Sequence, residues 1–136
     1  VTLYVNEHSF IRAIHKKLPA DLYRWKIHDS YTGGVPDTLY AGPSGILFIE
    51  YKWLKSLPKK PTTPIKIGLS PLQIIWLNKF HSFGQKVAVV VGYPDGVLLF
   101  EGNSWTKDIN IANIQNYVVT DKLLVSYILS VAGVNQ

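Results

Sequence analysis

Ile46-Leu47-Phe48-Ile49-Glu50-Tyr51-Lys52-Trp53 begins as an apolar, β-branched and aromatic run, and then an acid and a base appear two residues apart. That composition predicts a strand. Side chains two apart on a strand share a face, so Glu50 and Lys52 point the same way, following Ile46 and Phe48. Charge at the end of an otherwise apolar strand face belongs at the mouth of a site. Upstream, Pro36-Asp37 puts a second carboxylate on a neighbouring extended segment. Carboxylate oxygens are hard ligands for a divalent ion such as Mg²⁺. A Lys beside them can orient a water or neutralise phosphate charge. Together the three side chains make a minimal set for phosphodiester hydrolysis.

The elements on either side of that strand define a fold class. Asn6 is placed to cap a first helix in which Glu7, Ile11, Ile14 and Leu18 recur at helical spacing and which Pro19 ends. This stripe predicts that Glu7 faces the core side. Leu22 to Ile27 alternates as a strand, with Tyr23, Trp25 and Ile27 on one face. Tyr31-Thr32-Gly33-Gly34 is a turn, and Val35 to Tyr40 a short second strand carrying Asp37. The tight Gly42-Pro43-Ser44-Gly45 connection makes that strand and Ile46–Trp53 hairpin partners. Lys55 to Gly68 is a loop rich in Lys, Pro and Thr. Ser70-Pro71-Leu72-Gln73 opens a second helix with a capping box and runs to about Phe83, where Gly84 closes it. Lys86 to Gly92 is a Val-rich buried strand. Asp95-Gly96 then turns into Val97–Glu101, and the preceding Pro94-Asp95 reads as a turn, not as a second site. Gly102 to Val119 carries no clear pattern. Thr120 caps a last helix bearing Leu123, Leu124, Tyr127, Ile128 and Val131, and Gly133 stops it. The order is a mixed α/β domain: a mixed central β-sheet flanked by helices. The early strands pair antiparallel and the Val-rich strand, which follows a helix, joins in parallel.

Length and composition bound the rest. Residues 1–136 are expected to form a single domain, and a 47% hydrophobic fraction supports a packed core. With no cysteine, disulfides and thiolate metal sites are excluded. That fits an intracellular protein, in the cytoplasm of a microbe or of a virus-infected host cell. No apolar run is long enough to span a bilayer. Val1-Thr2-Leu3-Tyr4 lacks the charged and apolar regions of a signal peptide. A formal net charge of +5 favours a polyanionic partner.

The ordered set Gly34-Val35-Pro36-Asp37, Phe48-Ile49-Glu50-Tyr51-Lys52, Leu69-Ser70-Pro71-Leu72-Gln73-Ile74-Ile75-Trp76-Leu77 and Gly84-Gln85-Lys86-Val87-Ala88-Val89-Val90 resembles the PD-(D/E)XK nuclease superfamily. Within it, the set is most similar to the VRR-NUC (virus-type replication-repair nuclease) domain. The match runs from about Glu7 to Gly92. The basic stretch between Lys52 and Gln73 departs from the pattern. The resemblance implies a restriction-endonuclease-like core of helix, three strands, helix and strand, here with an added strand and C-terminal helix. It also implies Mg²⁺ (or Mn²⁺) held by Asp37, Glu50 and the Tyr51 carbonyl, with Lys52 serving the attacking water and the charge that develops on phosphorus. Glu7 and Gln73 stand where the family has assisting residues. For Glu7 the alternative is a first-turn acid favouring the helix dipole, and for Gln73 a cap satisfied by backbone. Lys55, Lys59, Lys60 and Lys66 are candidate contacts to the DNA backbone.

The function these readings predict is a metal-dependent DNA endonuclease. The resemblance implies branched DNA such as four-way junctions as substrate and a homodimer as the acting form. The broadly apolar last helix is the expected interface, unless it packs on the domain's own sheet. Two alternatives stay open: a sequence-specific restriction or homing-type endonuclease on the same fold, and a non-catalytic nucleic-acid-binding module.

Overall fold

The computed structural model describes residues 2–29 and 31–133. Val1 and residues 134–136 of the expected 1–136 domain lie outside that range. The chain runs α1 (Glu7–Lys16), β1 (Tyr23–Lys26), β2 (Thr38–Gly42), β3 (Gly45–Trp53), α2 (Pro71–Ser82), β4 (Val87–Tyr93), β5 (Gly96–Phe100), β6 (Val118–Val119) and α3 (Asp121–Val131), with two 3₁₀ turns at Ser104–Thr106 and Ile114–Asn116. The strands make one open mixed sheet in the order β1-β2-β3-β4-β5-β6. β3 and β4 are parallel, with α2 as their crossover, and every other neighbouring pair is antiparallel. The expected core order of helix, three strands, helix and strand is therefore present. β5, β6 and α3 extend it.

Local chemistry sets the helix starts. The Asn6 side chain accepts the Ser9 N–H at 2.8 Å, and the Ser70 hydroxyl accepts the Gln73 N–H at 3.1 Å. Each is answered by a reciprocal bond that satisfies a second orphan donor. Strand alternation then divides the core in two. Leu47, Ile49 and Tyr51 of β3 face α1 and α3, where Phe10, Ile14, Leu124 and Ile128 are buried. Phe48 faces α2 and packs with Leu77, Val87, Val89 and Trp105. Each such fully buried side chain contributes about 1.5–3 kcal/mol. Trp76 and Phe80 of α2 stack with ring centroids 3.7 Å apart, and both meet Phe48 edge-on. α1 approaches β4 so closely that a Cβ at Gly92 would enter the Phe10 ring.

Two expectations change. β2 starts at Thr38, so Asp37 precedes the strand and does not lie within it; the physical reason is Pro36, taken up below. The residues of α1 that reach the core are Phe10 and Ile14, while Glu7 is exposed at the helix start. α3 packs on the sheet beside α1, with Leu124 and Ile128 fully buried and Leu123 left 57% exposed. It covers the domain's own sheet with one face and leaves Leu123 on the other.

Candidate active site

The site lies where β2 peels away from β3. The two strands pair Thr38 with Ile49 and Tyr40 with Leu47. The Phe48 N–H bonds Lys86 in the direction of β4, so the backbone groups of the odd-numbered β3 residues face β2. In that register the next hydrogen-bonded partner of Tyr51 is Pro36. Proline has no N–H to give the Tyr51 carbonyl, so the ladder stops there. The Tyr51 N–H turns instead to the Asp37 Oδ2, at 3.4 Å. Asp37 is consequently held at the strand end, with the Tyr51 carbonyl facing the same gap. Gly34 seats the approaching loop. Its φ of 87° suits glycine, and a Cβ there would collide with the Leu72 carbonyl at the start of α2.

One step along the register from the Thr38–Ile49 pair, Asp37 and Glu50 stand opposite each other. Glu50 is only 5% exposed. Lys52, two residues on along β3 and on the same face, has its Nζ 3.6 Å from the Glu50 Oε2. The sequence-predicted trio is thus brought together. Burial pushes the Asp37 pKa up to about 6, and the Glu7 charge adds to this; the Thr38 hydroxyl, the Tyr51 N–H and Lys26 oppose it. Burial pushes Glu50 up to about 7, reinforced by Asp37 and opposed by Lys52 and the Asp37 amide. A single ammonium at 3.6 Å is too distant for a short charge-assisted hydrogen bond and does not offset the burial of Glu50. The site holds more negative charge than its surroundings compensate.

That imbalance tests the site for a cation. A buried carboxylate, a half-buried one and a backbone carbonyl on one gap are the hard oxygen set that Mg²⁺ or Mn²⁺ takes. The residues fit. Among the described residues no cluster of three or more His, Asp or Glu side chains forms. The carbonyl must therefore complete the protein's share, with water filling the rest.

The other candidates are spread more widely. Glu7 lies at the rim of a cavity that Asp37 also lines. The Gln73 Oε1 accepts the Ser70 N–H at 2.9 Å, so its carbonyl end serves the helix cap. Lys55, Lys59, Lys60 and Lys66 are exposed on a loop tied down by the Ile65 N–H on the Ile109 carbonyl. Asp29 caps its own turn through the Tyr31 and Thr32 N–H groups. Pro94-Asp95 forms the β4–β5 turn.

Two features escaped the sequence. The His15 Nε2 meets the Tyr40 hydroxyl at 2.8 Å, and that hydroxyl meets the Tyr51 hydroxyl at 2.7 Å. This buried chain braces β3 beneath Glu50. Burial lowers His15 to about 4, helped by the Arg24 charge, so the imidazole is neutral. The second feature is the pair Arg24 and Lys26, which line the Asp37 cavity. Their period-two spacing is visible in the sequence, but Tyr23 and Trp25 alternate with them as an equally regular aromatic face.

No family model matches the chain, and no curated protein matches it significantly. Among solved structures, Archaeoglobus fulgidus Hjc, described as a Holliday junction resolvase from an archaeal hyperthermophile, aligns with a TM-score of 0.44 and 17% identity, covering 81% of this chain and 95% of that one. The chemistry of the site rests on Asp37, Glu50, Tyr51 and Lys52 themselves. Among the described residues no helix is long and apolar enough to cross a membrane.

Proposed function

We propose that residues 1–136 are one nuclease domain of the VRR-NUC kind, a divalent-cation-dependent DNA endonuclease acting on branched or structured DNA such as four-way junctions. The observation that carries this reading is the pairing of half-buried Asp37 with buried Glu50 at the interrupted β2–β3 ladder, with Lys52 beside them. The preference for branched DNA is what the resemblance of the four motifs to the VRR-NUC family implies.

Asp37, Glu50 and the Tyr51 carbonyl would hold the cation, and both carboxylates would give up their protons to do so. Once bound, Mg²⁺ or Mn²⁺ supplies Lewis-acid polarisation of a phosphoryl oxygen and eases deprotonation of a water. Lys52 orients the attacking water for in-line displacement, and its ammonium stabilises the charge that builds on the phosphoryl oxygens. Glu7, at the cavity rim, orients solvent on the Asp37 side. Gln73 offers its amide nitrogen towards substrate while its oxygen keeps the cap. The exposed lysines of the 55–66 loop add affinity without sequence preference.

One domain holds one such site, so paired incisions need two copies. Strand alternation puts Tyr23, Trp25 and Ile46 on the α2 side of the sheet, where Ile46 is 52% exposed. Leu72, Ile75 and Phe83 of α2 and its C-cap are exposed as well. In a homodimer this is the apolar surface a second copy covers.

The test is a panel of labelled linear, single-stranded, flapped, mismatched and four-way DNAs incubated with Mg²⁺. Cleavage concentrated on branched substrates supports the proposal. Binding without cleavage on every substrate, with Mg²⁺ or Mn²⁺, would replace it with a non-catalytic binding module.

A further inference from the structure

We infer that the groove running from Asp37 along β1 is the track for the DNA strand flanking the cut, with Lys26 and then Arg24 each holding one of two consecutive phosphates. This rests on the nuclease reading above and adds to it where the substrate lies. A cavity of about 310 Å³ has Asp37 and Glu7 at one end and Lys26, Arg24 and His15 along its walls. A second cavity of about 550 Å³ shares His15 and Arg24 with it and continues past Tyr23 to Asp21. The two adjoin at His15 and Arg24: the first is acidic at Asp37 and Glu7 and basic at Lys26 and Arg24, and the second ends at Asp21.

The register orders the cations. Lys26 lies opposite Thr38, the neighbour of Asp37, and Arg24 lies opposite Tyr40, two residues further from the site. Two residues of strand rise roughly 6.6 Å, comparable to the span from one phosphate to the next along an extended nucleotide strand. Both side chains lie on the face that α1 covers, because their partners Thr38 and Tyr40 are buried on that face. Edge strands commonly carry Lys to deter pairing with other chains. That accounts for charge on β1 but not for its placement on the groove side at two consecutive positions of that face. Among the described residues the ion pairs are Lys17 with Asp121 and Lys52 with Glu50, so neither Arg24 nor Lys26 is taken up by an acid. An arginine with its donor fork unengaged is suited to a phosphate.

The test is fluorescence anisotropy with a fluorescein-labelled four-way DNA junction in EDTA, where no chemistry intervenes. Because Arg24 and Lys26 are exposed, glutamine at both positions leaves the core untouched. The expected result for Arg24→Gln with Lys26→Gln is weaker binding and a slope of log affinity against log salt reduced by roughly 2. Lys107→Gln with Lys122→Gln, an equal loss of charge outside the groove, should change the slope by less. A single methylphosphonate placed next to the cleaved bond should weaken wild type but not the groove variant, since the contact it removes is already gone. If the groove variant keeps the wild-type slope, or loses no more than the control, the track is wrong. Should the wild type still cleave with Mg²⁺, the nuclease reading survives that failure. A reduced slope with no cleavage under any cation leaves the phosphate contacts standing and removes the nuclease reading instead.

Discussion

Asp37 and Glu50 are placed where ionisation works against folding, and that gives their titration a definite sign. Their ordinary values are 3.8 and 4.5, and the fold raises them to about 6 and about 7. A carboxyl whose pKa rises on folding binds its proton more tightly in the native state. The stabilisation is full below the unfolded values and is lost as pH rises through the folded ones. The cation-free protein should therefore be less stable at about pH 8 than at about pH 5, by up to roughly 4 kcal/mol from these two groups. Urea midpoints in EDTA measure this, and a flat profile would contradict the burial assigned to the pair. Divalent-cation affinity should move the opposite way, rising with pH as the protons leave. Asp37→Asn and Glu50→Gln remove a buried charge without opening a cavity. Each should raise cation-free stability at about pH 8 by roughly 1 kcal/mol or more while abolishing cleavage. Lys52→Ala takes away the one ammonium beside Glu50. Single-turnover cleavage should slow by roughly 10²-fold or more, and a near-wild-type rate would reduce Lys52 to a solvated strand residue.

At the scale of elements, the site depends on a strand that stops early. Pro36→Ala restores an N–H opposite the Tyr51 carbonyl and allows β2 to extend by one pair. Cation affinity should fall by roughly tenfold while the urea midpoint holds or rises, since one backbone hydrogen bond is worth about 1 kcal/mol. Calorimetric titration with Mn²⁺ reads this directly, and unchanged affinity would mean the carbonyl is not a ligand. The residues of this device were legible in the sequence. Gly34, Pro36, Asp37, Glu50 and Lys52 stand out in the sequence, and the cap at Asn6 and the capping box at Ser70 follow from local chemistry alone. The end of β2 was not legible, because it depends on which residue of β3 Pro36 opposes. Phe10 was missed because Ile11, Ile14 and Leu18 give a plausible stripe of their own, and only the docking of α1 on Gly92 selects between them. The segment after Gly102 folds as two 3₁₀ turns and a two-residue strand, too short to show a period. His15 gives no signal in the sequence because its partner, Tyr40, lies 25 residues away.

For the whole molecule, the largest group of uncovered apolar side chains lies on α2 and the β1–β3 side of the sheet, while α3 buries Leu124 and Ile128 and leaves Leu123 exposed. A homodimer should therefore be broken by Ile75→Asp and left intact by Leu123→Asp, as sedimentation at micromolar concentration would show. Monomeric wild type, with and without DNA, would leave a single-strand nicking enzyme. The central claim concerns chemistry, and single-turnover incubation of a four-way DNA junction tests it most directly. The account predicts strand cleavage by the wild type with Mg²⁺, none in EDTA, and none by Asp37→Asn, which should still bind the junction. Full cleavage by Asp37→Asn, or wild-type cleavage that persists in EDTA, would contradict it.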